Sequence, residues 1–262
     1  MTTDRPPVKF RPEELAQLTP PPQLAEGHGG PRFRELGASW LETFRAQAGL
    51  VEGQRVLDVG CGAGRMALAL APVLGESGSY DGFDVQAEPV AWCRTAIEPL
   101  WPRARFQQFD VNNGWYHPAG SLDAAALRFP YADATFDFVL MTSVCTHLLA
   151  GAARNYLAET CRVLRPGGRC LITFFILDER VHASMAAGAA RHSFPYEVEP
   201  GCRVLYLEQP EKAVAYEEAT LRAWCHGTGL EIVEPLRRGL WSSAYAERGP
   251  RHTQDFVIAT AR

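Results

Sequence analysis

The sequence lacks the patterns that usually mark a metal site, an export signal or a membrane span. Its seven cysteines include no CxxC pair, so neither a zinc framework nor a disulfide scaffold is indicated. The first residues are not a basic segment followed by an apolar run, so no secretory signal is expected. The longest apolar stretch, 170–177, is far shorter than the roughly 20 residues of a membrane-spanning helix. We therefore expect a soluble, cytoplasmic protein with reduced, mostly buried thiols and no metal.

An excess of basic charge is also missing. Lysine and arginine total 26 residues against 30 acidic ones, which gives a formal net charge of -4. This balance does not favour a surface that binds nucleic-acid phosphates. We expect a small-molecule substrate, no nucleic-acid partner and no membrane, while the sequence does not set the oligomeric state. A chain of 262 residues with 47% hydrophobic composition fits one α/β domain with additions.

The chain begins with a segment rich in proline and glycine, residues 1–32. This composition resists regular structure, so we predict a flexible N-terminal arm or lid there. Residues 33–262 are predicted to form a single domain, and its first helix is expected over 33–50, where apolar residues recur at helical spacing.

From residue 55 onwards, strand and helix patterns alternate. Such alternation predicts a mainly parallel sheet with helices on both faces. Strands are predicted at 55–59, 79–84, 104–109, 136–141, 169–176, 230–235 and 255–261. Helices are predicted at 63–74, 88–100, 152–164 and 216–227, the third of them stopped by Pro166, Gly167 and Gly168.

Two insertions interrupt this alternation, residues 112–131 and residues 178–215. Each follows a predicted strand. Loops at the carboxyl ends of parallel strands surround the ligand crevice of α/β sheets. Both insertions are therefore candidate walls of a substrate site.

The most informative segment is VLDVGCGAGR at 56–65, an apolar strand that leads into a GxGxG turn and a helix. Gly60, Gly62 and Gly64 allow the backbone to approach a ligand, and the N–H groups at the start of the helix can bind a carboxylate. The spacing differs from the GxGxxG of dinucleotide-binding loops. A tight strand-to-helix connection with no ligand is the alternative interpretation.

Acidic residues stand at the ends of the next two predicted strands. Asp84 ends the second strand and could accept both hydrogen bonds of a ribose diol, although capping of the next helix would also explain it. Asp110 follows the third strand and could accept from an adenine amino group, while the Val111 N–H could donate to a ring nitrogen. Together with the glycine turn, these positions suggest one elongated ligand with a carboxylate, a ribose and an adenine.

At these residues the chain resembles the class I S-adenosylmethionine-dependent methyltransferases. VLDVGCGAGR resembles their first motif, GFD at 82–84 the second, FD at 109–110 the third and FDFVLMTSVCTHL at 136–148 the fourth. The segments NNGWYHPAG, SVCTHLL and GLWSSAYAERGPRHTQDFVIA resemble a bacterial subgroup with patterns near N-x-x-Y-N-P-x-G, S-V-F-T-H-L and Q-D. His117 stands where that subgroup commonly has asparagine, and Cys145 where it has phenylalanine.

The resemblance implies a Rossmann-like fold with a mainly parallel, seven-stranded sheet. It also implies S-adenosyl-L-methionine as the cofactor and S-adenosyl-L-homocysteine as the product. In matched positions, the glycines approach the methionine portion, Asp84 holds the ribose, and Thr142 and Ser143 lie near the sulfonium. The implied cofactor-binding residues are Asp58, Gly60, Cys61, Gly62, Gly64, Arg65, Asp84, Val85, Asp110, Val111, Thr142 and Ser143.

The acceptor side is less defined. His147 follows the fourth motif and is the candidate general base, with packing or helix capping as the alternative. The candidate substrate-binding residues are Tyr116, His117, Tyr196 and Trp241. The alternatives are a surface turn for Tyr116 and His117, a core or lid aromatic for Tyr196 and a hydrophobic anchor for Trp241. The expected activity is methyl transfer to oxygen or nitrogen of a small molecule or sugar-containing metabolite. The alternatives are a non-catalytic cofactor-binding subunit or sensor and, disfavoured by the GxGxG spacing, an NAD-dependent oxidoreductase.

Overall fold

A computed structural model describes residues 9–245 and 252–262 of the chain. Residue contacts divide the chain into two compact units, Met1–Phe109 and Asp110–Arg262. Residues 1–8 of the predicted arm lie outside the described residues. The assignment of 33–262 to a single methyltransferase domain stays a prediction.

The described residues form eight α-helices and eleven strands, which we number in chain order. The helices are α1 Pro12–Leu15, α2 Pro22–Glu26, α3 Phe33–Ala46, α4 Arg65–Leu74, α5 Ala87–Ala96, α6 Ala150–Val163, α7 Glu179–Ala186 and α8 Glu218–Thr228. The strands are β1 Arg55–Val59, β2 Ser79–Asp84, β3 Ala104–Gln108, β4 Phe136–Met141, β5 Leu164–Phe174, β6 Ile176–Leu177, β7 Tyr196–Glu199, β8 Cys202–Val204, β9 Val214–Glu217, β10 Leu230–Ile232 and β11 Asp255–Ala261.

The main sheet has seven strands in the order β10-β11-β5-β4-β1-β2-β3. In the first unit, β1 pairs with β2 and β2 with β3, both in parallel. In the second unit, β4 and β5 are parallel, whereas β11 is antiparallel to both β5 and β10. The predicted α/β fold with a mainly parallel, seven-stranded sheet is confirmed.

Four strands of the main sheet have the bounds that the sequence predicts, and two of them are nearly continuous buried runs. The last four residues of β1 are buried, as are five of the six residues of β4. Such runs are typical of parallel strands that are covered on both faces. The predicted bounds of β1, β2, β4 and β11 coincide with the observed ones.

The helix before Pro166, Gly167 and Gly168 ends one residue short of its predicted bound at 164, but the prediction that these three residues precede the next strand is wrong. Helix α6 ends at Val163, and β5 begins at the next residue and includes all three. Leu164 pairs with Phe136, and pairing resumes at Arg169 with Phe138, so the three residues lie in a register shift. A bulge tolerates proline because no ladder N–H is needed there, and Gly167 supplies a left-handed φ of 76°.

The second insertion is more regular than the sequence suggests. It contains α7, β7 and β8, and the two strands form a small four-stranded sheet with β6 and β9, which lie at the two ends of the insertion, in the order β6-β9-β8-β7. Because Val214–Glu217 forms β9, the helix predicted at 216–227 starts only at Glu218. By contrast, no helix or strand is assigned between β3 and β4, where the first insertion lies.

The described part of the arm, residues 9–32, also forms regular structure, contrary to the composition argument. Pro12 and Pro22 stand at the first position of α1 and α2, where a helix needs no backbone N–H from the residue. Leu15 is fully buried, and Arg34 donates to its carbonyl at 3.0 Å. The arm is therefore attached to the first unit, while its flexibility stays a prediction.

All seven cysteines are free thiols, and six of them are buried. Within 9–245 and 252–262, no helix has both the length and the apolar character that crossing a membrane requires.

Candidate cofactor and acceptor site

The glycine turn joins β1 to α4 through three left-handed residues. Gly60, Gly62 and Gly64 have φ values of 78°, 49° and 73°, which residues other than glycine rarely adopt. A Cβ atom on Gly64 would also lie 2.6 Å from the Ile97 side chain. Since α4 begins directly after Gly64, its first N–H groups face the turn and can receive an anion.

Asp84 lies at the carboxyl end of β2 and contacts this turn. Its carboxylate accepts from the Gly62 N–H at 2.8 Å and from the Gln86 N–H at 2.9 Å. Each carboxylate oxygen can accept two hydrogen bonds, so both keep acceptor capacity. Burial raises the pKa of Asp84, opposed by these backbone N–H groups. The N-cap of α5 is Gln86, so helix capping by Asp84 is not supported.

Asp58 is buried within β1, directly before the turn, and is only 1% exposed. The Tyr80 hydroxyl donates to its Oδ2, whereas Oδ1 has no partner among the described residues. Burial raises the pKa of Asp58 to about 7, opposed by the Tyr80 hydrogen bond. A buried oxygen without a partner is costly, which makes Oδ1 a candidate acceptor for an ammonium group or a water.

Other predicted cofactor residues in the first unit have protein partners. Arg65 donates to the carbonyl of His28 at 2.7 Å. Cys61 is buried, and burial raises the pKa of its thiol. The Val85 carbonyl accepts from the Gln108 amide at 3.3 Å. Arg65 thus fastens the arm to the glycine turn, a contact that the sequence did not predict.

In the second unit, Asp110 is exposed and occupied by its neighbours. The His117 Nε2–H donates to Oδ1 at 2.8 Å and the Ser121 hydroxyl to Oδ2 at 2.6 Å. The Ser121 and His117 hydrogen bonds lower the pKa of Asp110, whose side chain is 55% exposed. Val111 is buried. The Leu122 N–H donates to the Asp110 carbonyl and the Asn112 N–H donates to the Leu122 carbonyl, so the Val111 N–H takes no part in this backbone pairing.

Ser143 follows β4 and Thr142 in a conformation that is uncommon for serine, with φ at 59°. Its N–H donates to the Thr173 hydroxyl at 2.7 Å, and its own hydroxyl donates to Gln254 at 3.0 Å. Such backbone strain is concentrated at functional sites. Gln254 also contacts the Thr146 hydroxyl at 3.4 Å. The Q-D pattern is the only sequence signal that pointed to Gln254.

His147 ends a short 3₁₀ helix, Cys145–His147, that follows β4. Its Nδ1 lies 3.0 Å from the carbonyl oxygen of Glu211. Because a carbonyl only accepts, Nδ1 carries the proton and Nε2 of the neutral ring is an acceptor. The Tyr116 hydroxyl lies 3.4 Å from Nε2. Burial lowers the pKa of His147, opposed by the backbone carbonyl partners, so the neutral ring is favoured at pH 7.

Asn113 and Glu211 support His147 from the two insertions. The Asn113 amide donates to the His147 carbonyl at 2.9 Å and to the Glu211 carboxylate at 3.0 Å. The Gly114 N–H donates to the same carboxylate, and burial raises the pKa of Glu211. The structure therefore brings together Tyr116, His147 and two residues that the sequence analysis missed. Asn113 lies within the NNGWYHPAG pattern, whereas Glu211 had no signal.

Tyr196 and Trp241 lie on other elements. Tyr196 is 45% exposed on the edge strand β7. Trp241 is fully buried, packs on Phe175 with a centroid distance of 5.0 Å, and donates from its indole N–H to Asp255 at 2.7 Å. These contacts favour the hydrophobic anchor for Trp241, and the substrate roles of both residues stay predictions.

Comparison with known proteins matches the middle of the chain to a family. A family model described as "Methyltransferase domain" matches residues 57–172, which include the glycine turn, both strand-end carboxylates and His147. Residues 57–172 therefore form a methyltransferase domain, as the resemblance to the class I S-adenosylmethionine-dependent methyltransferases implies.

Two curated relatives are also methyltransferases. This chain is 31% identical over 215 residues to an arsenite methyltransferase of Aquipseudomonas alcaligenes, and the match covers 82% of this chain and 56% of the relative. It is 30% identical over 141 residues to a demethylmenaquinone methyltransferase of Shouchella clausii, with 52% of each chain covered. The chain thus spans about half the length of these curated relatives.

Solved structures show the same fold. A SAM-dependent methyltransferase from Aquifex aeolicus matches with a TM-score of 0.57 and 20% identity, covering 93% of this chain and 100% of that one. A magnesium protoporphyrin IX methyltransferase from Synechocystis with bound SAH matches with a TM-score of 0.55 and 14% identity, covering 96% and 93%. The [4+2]-cyclase SpnF matches with a TM-score of 0.51 and 18% identity, covering 88% and 80%.

Proposed function

We propose that the chain binds S-adenosylmethionine and transfers its methyl group to an oxygen or nitrogen of a small molecule or sugar-containing metabolite. The observation that carries the proposal is the glycine turn between two buried or partly buried carboxylates, Asp58 and Asp84, which both keep acceptor capacity. A turn that served only as a connection would have no need for a buried, unpartnered oxygen on Asp58.

The residues of the first unit fit the cofactor group by group. The N-terminus of α4 suits the methionine carboxylate, and Asp58 Oδ1 suits its ammonium group, directly or through water. The remaining acceptor positions of Asp84 suit the two ribose hydroxyls. In the second unit, Asp110 and the Val111 N–H are the proposed adenine contacts, and Thr142 and Ser143 the proposed contacts beside the sulfonium.

Bound S-adenosylmethionine supplies an electrophilic methyl group on a positively charged sulfur. The protein then has to align an acceptor atom with that methyl, and alignment of this kind is worth roughly 7 to 11 kcal/mol. For a hydroxyl acceptor, neutral His147 accepts the proton at Nε2, while its Nδ1–H donates to the Glu211 carbonyl and fixes the tautomer. A neutral amine acceptor needs no such base.

The names of the two relatives give different acceptors, arsenite and demethylmenaquinone, so the relatives do not indicate one acceptor for this chain. Trivalent arsenic is a soft acceptor that favours thiolate ligands. Six of the seven thiols here are buried, and desolvation raises the pKa of the thiols at Cys61, Cys93, Cys145 and Cys170. The described cysteines therefore give no support to arsenite, and we retain oxygen or nitrogen as the acceptor atom.

Isothermal titration calorimetry tests the cofactor. We expect the full chain to bind S-adenosylmethionine and S-adenosylhomocysteine, with no heat from NAD. Transfer of a labelled methyl group to fractionated metabolites then tests the activity. Micromolar NAD binding without response to either sulfur nucleotide would overturn the proposal, and cofactor binding without transfer to any fraction would favour the non-catalytic subunit or sensor.

His147→Ala tests the acid–base step once an acceptor is known. We expect turnover to fall by about 10²- to 10⁴-fold with a hydroxyl acceptor, while cofactor affinity is unchanged. His226→Ala is the matched control because His226 is an exposed histidine on α8. A folded His147→Ala protein with wild-type turnover would show that His147 only packs against the loop.

A further inference from the structure

His28 lies in the arm, two residues after α2, and its position is fixed by contacts on both sides. Its Nδ1 lies 2.7 Å from the carbonyl oxygen of Leu24, and its own carbonyl accepts from Arg65 at 2.7 Å. Gly29 turns the arm with φ at 111°, and a Cβ atom there would lie 2.7 Å from the Leu36 side chain. The arm thus needs glycine at position 29 to bring His28 close to the glycine turn.

The imidazole of His28 lies directly against the glycine turn. A Cβ atom on Gly62 would be 2.2 Å from both Cδ2 and Nε2 of the ring, so glycine is needed there for space as well as for its φ. The Gly62 N–H donates to Asp84, which we propose as the ribose ligand. The ring, the turn and the carboxylate therefore share one corner of the first unit.

The hydrogen bond to Leu24 decides which ring nitrogen is free. A carbonyl oxygen only accepts, so Nδ1 carries the proton, and Nε2 of the neutral ring keeps a lone pair beside Gly62. The groups of S-adenosylmethionine that approach a glycine turn and its neighbouring carboxylate include donors, namely the ammonium group and the ribose hydroxyls. An acceptor at this position matches either of them.

We infer that His28 is a cofactor-binding residue of the arm, covering the glycine turn and accepting a hydrogen bond at Nε2 from the ammonium group or a ribose hydroxyl of S-adenosylmethionine. Arg65 is the positioning residue that holds the His28 backbone in place. The inference rests on the proposed function for the identity of the cofactor. It gives the proline-rich arm a defined role in binding.

Two substitutions separate the hydrogen bond from the packing of the ring. His28→Ala removes both, whereas His28→Phe keeps an aromatic ring against Gly62 and removes the acceptor. With S-adenosylhomocysteine as the probe in calorimetry on the full chain, we expect both variants to bind about tenfold or more weakly, as loss of a hydrogen bond to a charged or buried group implies. His226→Ala is the control and should bind as the wild type does.

The outcomes also distinguish this inference from the proposed function. Wild-type affinity in both His28 variants, or tighter binding because the ring obstructs the turn, would overturn the role of His28 and leave the cofactor assignment intact. Loss of affinity in His28→Ala but not in His28→Phe would replace the hydrogen bond with a packing role and overturn the inference as stated. A wild-type protein that does not bind S-adenosylhomocysteine would overturn both proposals.

Discussion

Asp84 ends strand β2 and Asp110 lies two residues after strand β3, and the same sequence pattern predicts both of them as cofactor ligands. Asp84 is partly buried, its bonds to the protein come from backbone N–H groups, and its pKa is raised by burial. Asp110 is 55% exposed, accepts from the side chains of His117 and Ser121, and has a lowered pKa because of these bonds. Similar positions in the sequence thus lead to opposite electrostatic environments.

The difference lies in what remains available to a ligand. A partly buried carboxylate that is oriented by backbone N–H groups can form strong hydrogen bonds with little reorganisation. An exposed carboxylate with side-chain partners has to compete with water and with those partners. We therefore expect the cofactor to depend much more on Asp84 than on Asp110.

Asp255 tests whether burial alone makes a carboxylate a binding group. It is 1% exposed, and burial raises its pKa to about 6, but it accepts from the Ile176 and Gly239 N–H groups and from Trp241. Asp255→Ala leaves three buried donors without an acceptor, so we expect the free energy of unfolding to fall by about 3 to 5 kcal/mol. Urea denaturation measures this loss. A loss below 1 kcal/mol would show that Asp255 does not stabilise the fold, and Asp255 would then no longer serve as a structural carboxylate to compare with Asp84.

Asp84→Ala should affect binding rather than folding. If two hydrogen bonds from the ribose to a charged acceptor are lost, S-adenosylmethionine should bind about 2 to 4 kcal/mol more weakly in calorimetry. The Gly62 and Gln86 N–H groups that Asp84 releases belong to part-buried hydrogen bonds, and we expect water to replace the carboxylate there. Unchanged affinity in a folded Asp84→Ala protein would contradict the ribose assignment.

Asp58→Asn tests the buried carboxylate that precedes the turn. The folded protein holds the Asp58 proton up to about pH 7, whereas the unfolded chain releases it near the ordinary value of 3.8. Asp58 therefore reduces stability progressively as the pH rises from about 4 to 7. Asparagine keeps an acceptor for Tyr80, and a pKa change from 3.8 to about 7 corresponds to about 4 kcal/mol, so relative to wild type the variant should gain about that much stability between pH 4 and pH 8. Parallel pH profiles of the two proteins in denaturant titrations would contradict the raised pKa.

The glycine turn was predictable because its signal is local. A buried run, three glycines and an acidic strand end occupy positions whose geometry depends on their immediate neighbours, and β1 and β2 have their predicted bounds. Proline was a poor guide for the opposite reason. Pro22 starts a helix and Pro166 lies in a bulge. The effect of a proline depends on whether the structure needs a backbone N–H at that position, and the local sequence does not show this.

The support of His147 was not predictable from local patterns. Its partner Glu211 is 64 positions away along the chain, and Asn113 and Glu211 are 98 positions apart. His28 likewise reaches Gly62 from a segment whose composition suggested only a lid. Contacts of this kind join residues that are far apart in the chain and depend on the conformations of loops. Neither the hydrophobic periodicity of the sequence nor the spacing of its motifs indicates them. The sequence therefore located the candidate base but not the residues that fix its tautomer.

Asp110 should show the smallest effect. We expect Asp110→Asn to weaken S-adenosylhomocysteine binding by less than about tenfold, because the exposed carboxylate is already engaged and the proposed Val111 backbone contact remains. The pH dependence sharpens the contrast. The lowered pKa keeps Asp110 ionised on mild acidification, whereas the raised pKa of Asp84 lets that carboxyl gain a proton sooner and lose acceptor strength. Wild type and Asp110→Asn should therefore lose affinity in parallel as the pH is lowered. An Asp110→Asn protein whose affinity no longer depends on pH would reverse the ranking of the two carboxylates.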